Sequence, residues 1–170
     1  MVPELAQQCV DYVACYIQPG DVCAFLDNIL TTGEQDADAP AREMLRKQGL
    51  RVLSSTSFVS CFECTVNYVL DHVAGVSEMA VISAVYEWAQ QQCTDRQQQD
   101  SGSAVGVREM MQPFFPKLRF LAISATDFSR GPASWGIFDD NEALALLSNI
   151  IVDDPTTMPP GFCKIREKRF

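Results

Sequence analysis

The sequence predicts an all-α protein, and three observations predict it. Apolar residues recur at spacings of three and four along most of the chain, as in Ile82, Val85, Tyr86, Ala89 and Cys93. Helix-ending residues separate these runs: Pro19-Gly20, Gly33, Gly49, Gly75 and Gly131-Pro132. Residues suited to helix N-caps precede several of them, among them Ser77, Ser124 and Asp139. The apolar run Leu118, Phe120, Leu121, Ile123 fits a strand by periodicity, but no partner strand is evident elsewhere.

Taken in order, residues 3–17 carry Leu5, Cys9, Tyr12, Val13 and Tyr16 or Ile17 on one face, with Pro3 tolerated in a first turn. Asp21 is placed to cap a second helix whose face is Val22, Phe25, Leu26, Ile29 and Leu30. A third runs from about 40 to 48, broken by Gly49, and residues 50–53 form a short helical turn. Ser60 is placed to cap a fourth, 61–73, that buries Cys61, Val66, Val69, Leu70 and Val73. The most strongly patterned helix follows at 77–93. Ser77 caps it, Glu78 sets negative charge at the positive end of its dipole, and Met79 and Trp88 widen its apolar face. Its N3 residue is Ala80, so the reciprocal Glu of a capping box is missing.

Residues 96–106 hold polar Gln and Asp with Gly and Ser, a flexible loop and the best subdomain boundary. Residues 107–115 read as helical until Pro113 and Pro116. Ser124 to Asp127 forms a capping box with Asp in place of Glu, and Gly131-Pro132 ends the short helix it starts. Asp139 to Glu142 is a fuller capping box, opening a helix with Ala143, Leu146, Leu147, Ile150 and Ile151 inward. The tail, with its Pro residues and basic end, is expected to be poorly ordered.

With 170 residues the chain forms one domain or two small ones and needs no covalent staple. The net charge of −9 argues against general nucleic-acid binding and against anionic membranes. Residues 1–41 contain Glu4, Asp11, Asp21, Asp27, Glu34, Asp36 and Asp38 and no Lys or Arg. The opposite end has Lys164, Arg166, Lys168 and Arg169 against Glu167. The acidic stretch suits a basic partner or a solvated face. Seven scattered cysteines, several at apolar helix positions, fit a reducing compartment better than a disulfide framework. No signal peptide and no membrane-length apolar run are visible, so cytosol or nucleus is expected.

Chemistry-bearing motifs are few. Cys61-Phe-Glu-Cys64 is a CxxC without the βαβ context or second ligand pair that redox or zinc function requires. His72 is the single histidine, and Glu63, Asp71, Glu78 and Glu87 read as solvated helix faces. No phosphate loop, dinucleotide fingerprint or hydrolase elbow occurs. The expectation is a non-enzyme with no catalytic residues, no metal and no cofactor. The core is expected to include Phe58, Leu70, Ile82, Val85 and Trp88.

Residues 45–88 resemble the BACK domain of BTB/POZ–BACK proteins, through the turn RVLSSTSFV, a leucine/valine helix and VSEMAVISAVYEWA. Phe58, Leu70, Val76, Glu87 and Trp88 fall on that pattern's Phe, Leu, Val, polar residue and Trp. VPELAQQCVDYV and DVCAFLDNIL, within residues 2–30, look like the 3-box helices that join BTB to BACK. Residues 118–147, above all GPASWGI at 131–137, are similar to the C-terminal extension of the subgroup that often carries a PHR domain. Ala80 departs from the pattern's acidic residue, and Cys61 and Cys64 are not family features.

The resemblance implies an all-α stack of antiparallel helix pairs: 3-box and BACK core at 2–95, loop at 96–106, helical extension at 107–153 and tail at 154–170. The BTB domain is missing, so the chain looks like a fragment, monomeric or weakly self-associating, of a protein dimerised by that domain. It implies an adaptor that couples a substrate to a cullin-3 RING ubiquitin ligase, with Leu5, Tyr12, Tyr16 and Phe25 lining the cullin-facing groove. The alternative is a partner-recruiting module of a nuclear or chromatin-associated complex that transfers no ubiquitin. Neither reading calls for nucleic acid or membrane.

Overall fold

A computed structural model describes residues 3–33, 37–99, 106–152 and 158–169. It is all-α, with nine α-helices and no strand among the described residues. The chain divides into two compact units, Met1–Val76 and Ser77–Phe170. The division falls just after Gly75 and not at 96–106, because α6 and α7, on either side of that stretch, pack on each other.

In the first unit, α1 (Pro3–Tyr16) and α2 (Val22–Thr32) both lie against α3 (Ala39–Leu53), and α4 (Thr56–Ser60) and α5 (Glu63–His72) pack on α2 and α3. Val22, Cys23, Leu26, Leu45, Val52, Phe58, Val66, Val69 and Leu70 form its core. The expected break at Gly49 is a kink inside one helix, with Gln48 at φ −134°, ψ 32°. Gly49 is required by close approach, since a Cβ there would stand 2.7 Å from Val73 Cγ2 and 3.0 Å from Val76 Cγ2.

The start of α5 corrects the sequence reading. Ser60 lies in the last turn of α4, Ser55 caps that helix through the Phe58 N–H, and Phe62 is the N-cap of α5 without a side-chain bond. The cap comes from another helix. The Asp27 carboxylate on α2 accepts the Phe62 N–H at 3.0 Å and the Thr65 hydroxyl. Asp21, expected to cap α2, is itself helical in φ/ψ and accepts the Gln18 N–H instead.

In the second unit, α6 (Glu78–Gln99) continues six residues past Cys93, because Gln and Arg sustain a helix as well as apolar residues do. Ser77 accepts the Ala80 N–H at 3.3 Å. Helix α6 packs on α7 (Val107–Met111) and on a 3₁₀ turn at Phe120–Ala122. That turn replaces the possible strand, with Leu118, Phe120, Leu121 and Ile123 all buried. Ser124 caps α8 (Ala125–Arg130), and Asp139 with Glu142 forms a reciprocal capping box on α9 (Asp140–Ile151). Gly131 follows α8 in close contact: a Cβ would meet Met79 Cε at 2.7 Å.

Two expectations in this unit fail. Helix α9 buries Leu146 and Asn149 and leaves Ile151 exposed, because Ile151 sits five residues, or about 140° of helix rotation, from Leu146. In the tail, residues 158–169 pack rather than hang free, with Phe162, Cys163 and Arg169 buried; residues 153–157 and 170 lie outside the described set. The flexible-loop expectation for 96–106 likewise falls mainly on residues 100–105, outside it.

Trp88 is 1% exposed and meets Phe114 edge-on at 5.4 Å. Trp88→Ala is expected to cost about 3–5 kcal/mol, lowering Tm by on the order of 10 °C for a chain of this size. An unchanged calorimetric melt would contradict this packing. Asp27→Ala, which uncaps α5, is expected to cost about 1–2 kcal/mol. Asp27→Asn, whose amide oxygen still accepts, should recover part of that loss in the same melt.

Candidate functional site

Cys23, Cys61, Cys93 and Cys163 are buried, and Cys15 and Cys64 are exposed. Cys15, Cys23, Cys61, Cys64, Cys93 and Cys163 are free thiols, and no group of three or more potential metal ligands occurs among the described residues. Within CxxC, Cys61 is buried and Cys64 exposed, so the two point to different environments. The Cys61 thiol donates to the Phe58 carbonyl at 3.1 Å and hydrogen-bonds with Cys23. That bond, then burial, pushes the Cys61 thiol far above its ordinary range, which disables it as a nucleophile.

The lone histidine is also tied into structure. His72 Nδ1 lies 2.8 Å from the Tyr68 carbonyl, which can only accept, so this nitrogen carries the proton. Its ring stacks on Tyr68 at 4.1 Å. The Tyr68 hydroxyl donates to Asp38, which also accepts from Arg42. Burial, reinforced by the bond to Asp38, pushes Tyr68 up to about 12. Burial works to raise Asp38, but the bonds from Tyr68 and Arg42 outweigh it and hold the carboxyl below its ordinary value. These groups join α3 to α5.

All four basic side chains of residues 1–76 (Arg42, Arg46, Lys47, Arg51) sit on α3. Arg46, Lys47 and Arg51 line an open cleft of about 330 Å³ with the exposed Leu50 and the Ala74–Val76 turn. Glu43 pairs with Arg46 and Lys47, each at 2.8 Å, and these bonds, Arg46 first, pull its carboxyl down to about 2.

Of the residues implied in partner binding, Tyr12 and Tyr16 are 66% and 64% exposed and contact each other with ring centroids 4.7 Å apart. Phe25 is half-buried, and the side chain of Leu5 lies outside the described residues. The structure therefore brings Tyr12 and Tyr16 together on one outward face of α1, while Val13 and Ile17 are half-buried. The core residues Phe58, Leu70, Ile82, Val85 and Trp88 are all buried.

Sequence reasoning missed the principal polar feature of the second unit. Glu78, read as a solvated helix-start residue, has a side chain only 1% exposed and forms an ion pair with Arg169 at 2.9 Å. Its carboxylate also accepts the Arg119 N–H at 2.9 Å. The signal available was weak: an acid between Val76 and Met79, and an arginine in a basic tail that contains the apolar Phe162-Cys163. A second tie, Arg108 to Glu142, runs at 2.6 and 2.8 Å, and Arg108 also donates to the Ile137 carbonyl. The Arg108 bond, against opposing burial, lowers the Glu142 carboxyl.

Fold and geometry thus define an all-α chain with an exposed aromatic pair on α1 and polar pairs that tie α3 to α5, α7 to α9 and α6 to the segment ending at Arg169. The chain is similar to BTB/POZ domain-containing protein 3 of Homo sapiens, Mus musculus and Callithrix jacchus, at 24% identity over 144 residues in each. That stretch covers 84% of this chain and 27% of those proteins, so the chain spans about a quarter of the relatives' length. No protein-family model matches it, and no solved structure matches it. The similarity supports a BTB-related protein.

Two outcomes test this picture. Asp38 and Glu142 have ordinary values of 3.8 and 4.5, and both are lowered in the fold. Their contribution is therefore present above the unfolded values and lost as pH falls through the folded ones. Tm should stay level from pH 7 to about 5 and then fall, and Glu142→Gln should remove part of that acid-side slope. A Tm independent of pH down to about 3 would contradict the assignment. Separately, protein purified without chelator should carry less than one equivalent of zinc by elemental analysis. A full equivalent lost on joint Cys61→Ser and Cys64→Ser substitution would overturn the packing role.

Proposed function

We propose that this chain is a non-catalytic protein-interaction region of a BTB–BACK protein, most strongly a substrate adaptor of a cullin-3 RING ubiquitin ligase. The observation that carries the reading is the similarity to BTB/POZ domain-containing protein 3 across 84% of the chain. It agrees with the BACK-like and 3-box-like motifs in the sequence and with the exposed Tyr12–Tyr16 pair within the 3-box-like stretch. Tyrosine suits a contact face because it offers a rigid apolar ring with a polar tip. The reading places the protein in cytoplasm or nucleus and assigns it no nucleic acid, membrane or cofactor. The alternative is recruitment of a partner into a nuclear complex without ubiquitin transfer.

Affinity capture of the native protein from cells separates the two. Stoichiometric cullin-3 in the capture supports the adaptor, and a nuclear assembly lacking it supports recruitment. In the adaptor family most of the cullin surface belongs to the BTB domain. The 170-residue chain alone is therefore expected to bind the cullin-3 N-terminal region only weakly, because two short helices should bury less than the ~1,200 Å² of a stable interface. Sub-micromolar affinity by calorimetry would show the contact surface to be misplaced.

A further inference from the structure

Residues 158–169 form neither helix nor strand, yet the segment is anchored at both ends. Near its start, the Phe162 ring stacks on Phe115 at 4.8 Å and 18°, with Phe138 at 5.7 Å and Phe120 at 6.1 Å around it. Near its end, Arg169 enters a second pocket. Its Nε and Nη2 donate to the two oxygens of Glu78 at 2.9 and 3.3 Å, and Nη2 also donates to the Lys117 carbonyl at 2.6 Å. Between the anchors Lys164, Ile165, Glu167 and Lys168 are exposed. The backbone is tied beside each anchor: the Cys163 N–H donates to the Phe115 carbonyl at 3.1 Å, and Arg119 donates to the Glu167 carbonyl at 2.9 Å.

Two buried anchors joined by a stretch that is mostly exposed, on a segment with neither helix nor strand, is the way a groove holds a linear peptide. The second pocket selects arginine over lysine, because its acceptors engage two edges of a planar fork that an ammonium lacks. Its floor, Glu78, is a carboxylate almost fully removed from water, which is strongly unfavourable without a cation beside it.

We propose that this groove of the second unit is a binding site for linear peptide segments that carry an aromatic residue and, seven residues on, an arginine. Segment 158–169 is its resident occupant, held in cis, and a partner with the same pattern binds by displacing it. This reading is independent of the cullin-3 assignment, which concerns α1 and α2.

The test uses a fluorescein-labelled peptide of residues 158–170 and the full 170-residue chain. A cis occupant competes at an effective concentration of the order of millimolar. The peptide should therefore bind a chain carrying both Phe162→Ala and Arg169→Ala at least tenfold more tightly than the unaltered chain, by anisotropy. Adding Glu78→Gln to that chain, or placing Lys at the arginine anchor of the peptide, should reduce binding at least tenfold. A folded double variant that binds no peptide, or no more than the unaltered chain does, overturns the proposal. Should the double variant fail to fold, hydrogen exchange on the unaltered chain decides. Millimolar peptide should speed exchange across 162–169 while protection of α6 is unchanged, and exchange unaffected by peptide overturns the proposal.

Discussion

The Asp27 carboxylate is the contact on which the first unit depends. It sits on α2 yet satisfies the start of α5, accepting the Phe62 N–H and the Thr65 hydroxyl. The constraint behind it is general to this chain. An α-helix leaves its first four N–H groups without intrahelical partners, and α4, α7 and α8 span five, five and six residues. Such helices are nearly all end. They persist because each start finds an acceptor: Ser55 for α4, the Glu109 carboxylate for the Gly106 N–H before α7, Ser124 for α8 and the Asp139–Glu142 box for α9. Asp27 differs because its cap also fixes where α2 lies against α5.

Local caps were legible in the sequence, because donor and acceptor are three residues apart. Ser77, Ser124 and Asp139 are placed by that rule alone. Asp27 was not legible, because its partners lie 35 and 38 residues away and nothing local marks it. The same distance hid Glu78, whose partner Arg169 is 91 residues on. By itself Glu78 fits a dipole-facing acid, and Arg169 fits a solvated basic tail. The sequence reading was sound on helices with a wide apolar face, such as α6, where Ile82, Val85, Trp88 and Ala89 are all buried. It misjudged α9, where a near-continuous apolar run over 143–151 contains more than one possible face and neighbouring packing chose Leu146 and Asn149. In the candidate partner face, spacing placed Tyr12 and Tyr16 together, but exposure is a tertiary property that spacing does not report.

Buried ion pairs do not explain themselves by stability. Removing two charges from water offsets most of their attraction, and apolar residues of similar volume often hold a fold as well. What the Glu78–Arg169 pair adds is direction. Phe162 alone would seat in the aromatic cluster with several backbone paths leading away. A guanidinium that must reach Glu78 and the Lys117 carbonyl together leaves one path for the six residues between. The pair therefore fixes the course of a segment that has no hydrogen-bond ladder of its own.

The charge distribution of the first unit bears on what meets it. No Lys or Arg precedes Arg42, so the α1 face that carries Tyr12 and Tyr16 belongs to a stretch of one sign. The four cations on α3 do not simply balance it, since Asp38 and Glu43 already pair with Arg42, Arg46 and Lys47. In the proposed contact, the acidic residues of this stretch and its exposed rings divide the work of recognition. The charges act over about 8–10 Å at physiological salt and raise the encounter rate of a basic partner. The rings, once covered, govern how slowly it leaves. A partner lacking apolar side chains to cover Tyr12 and Tyr16 would be attracted to this face and not retained there.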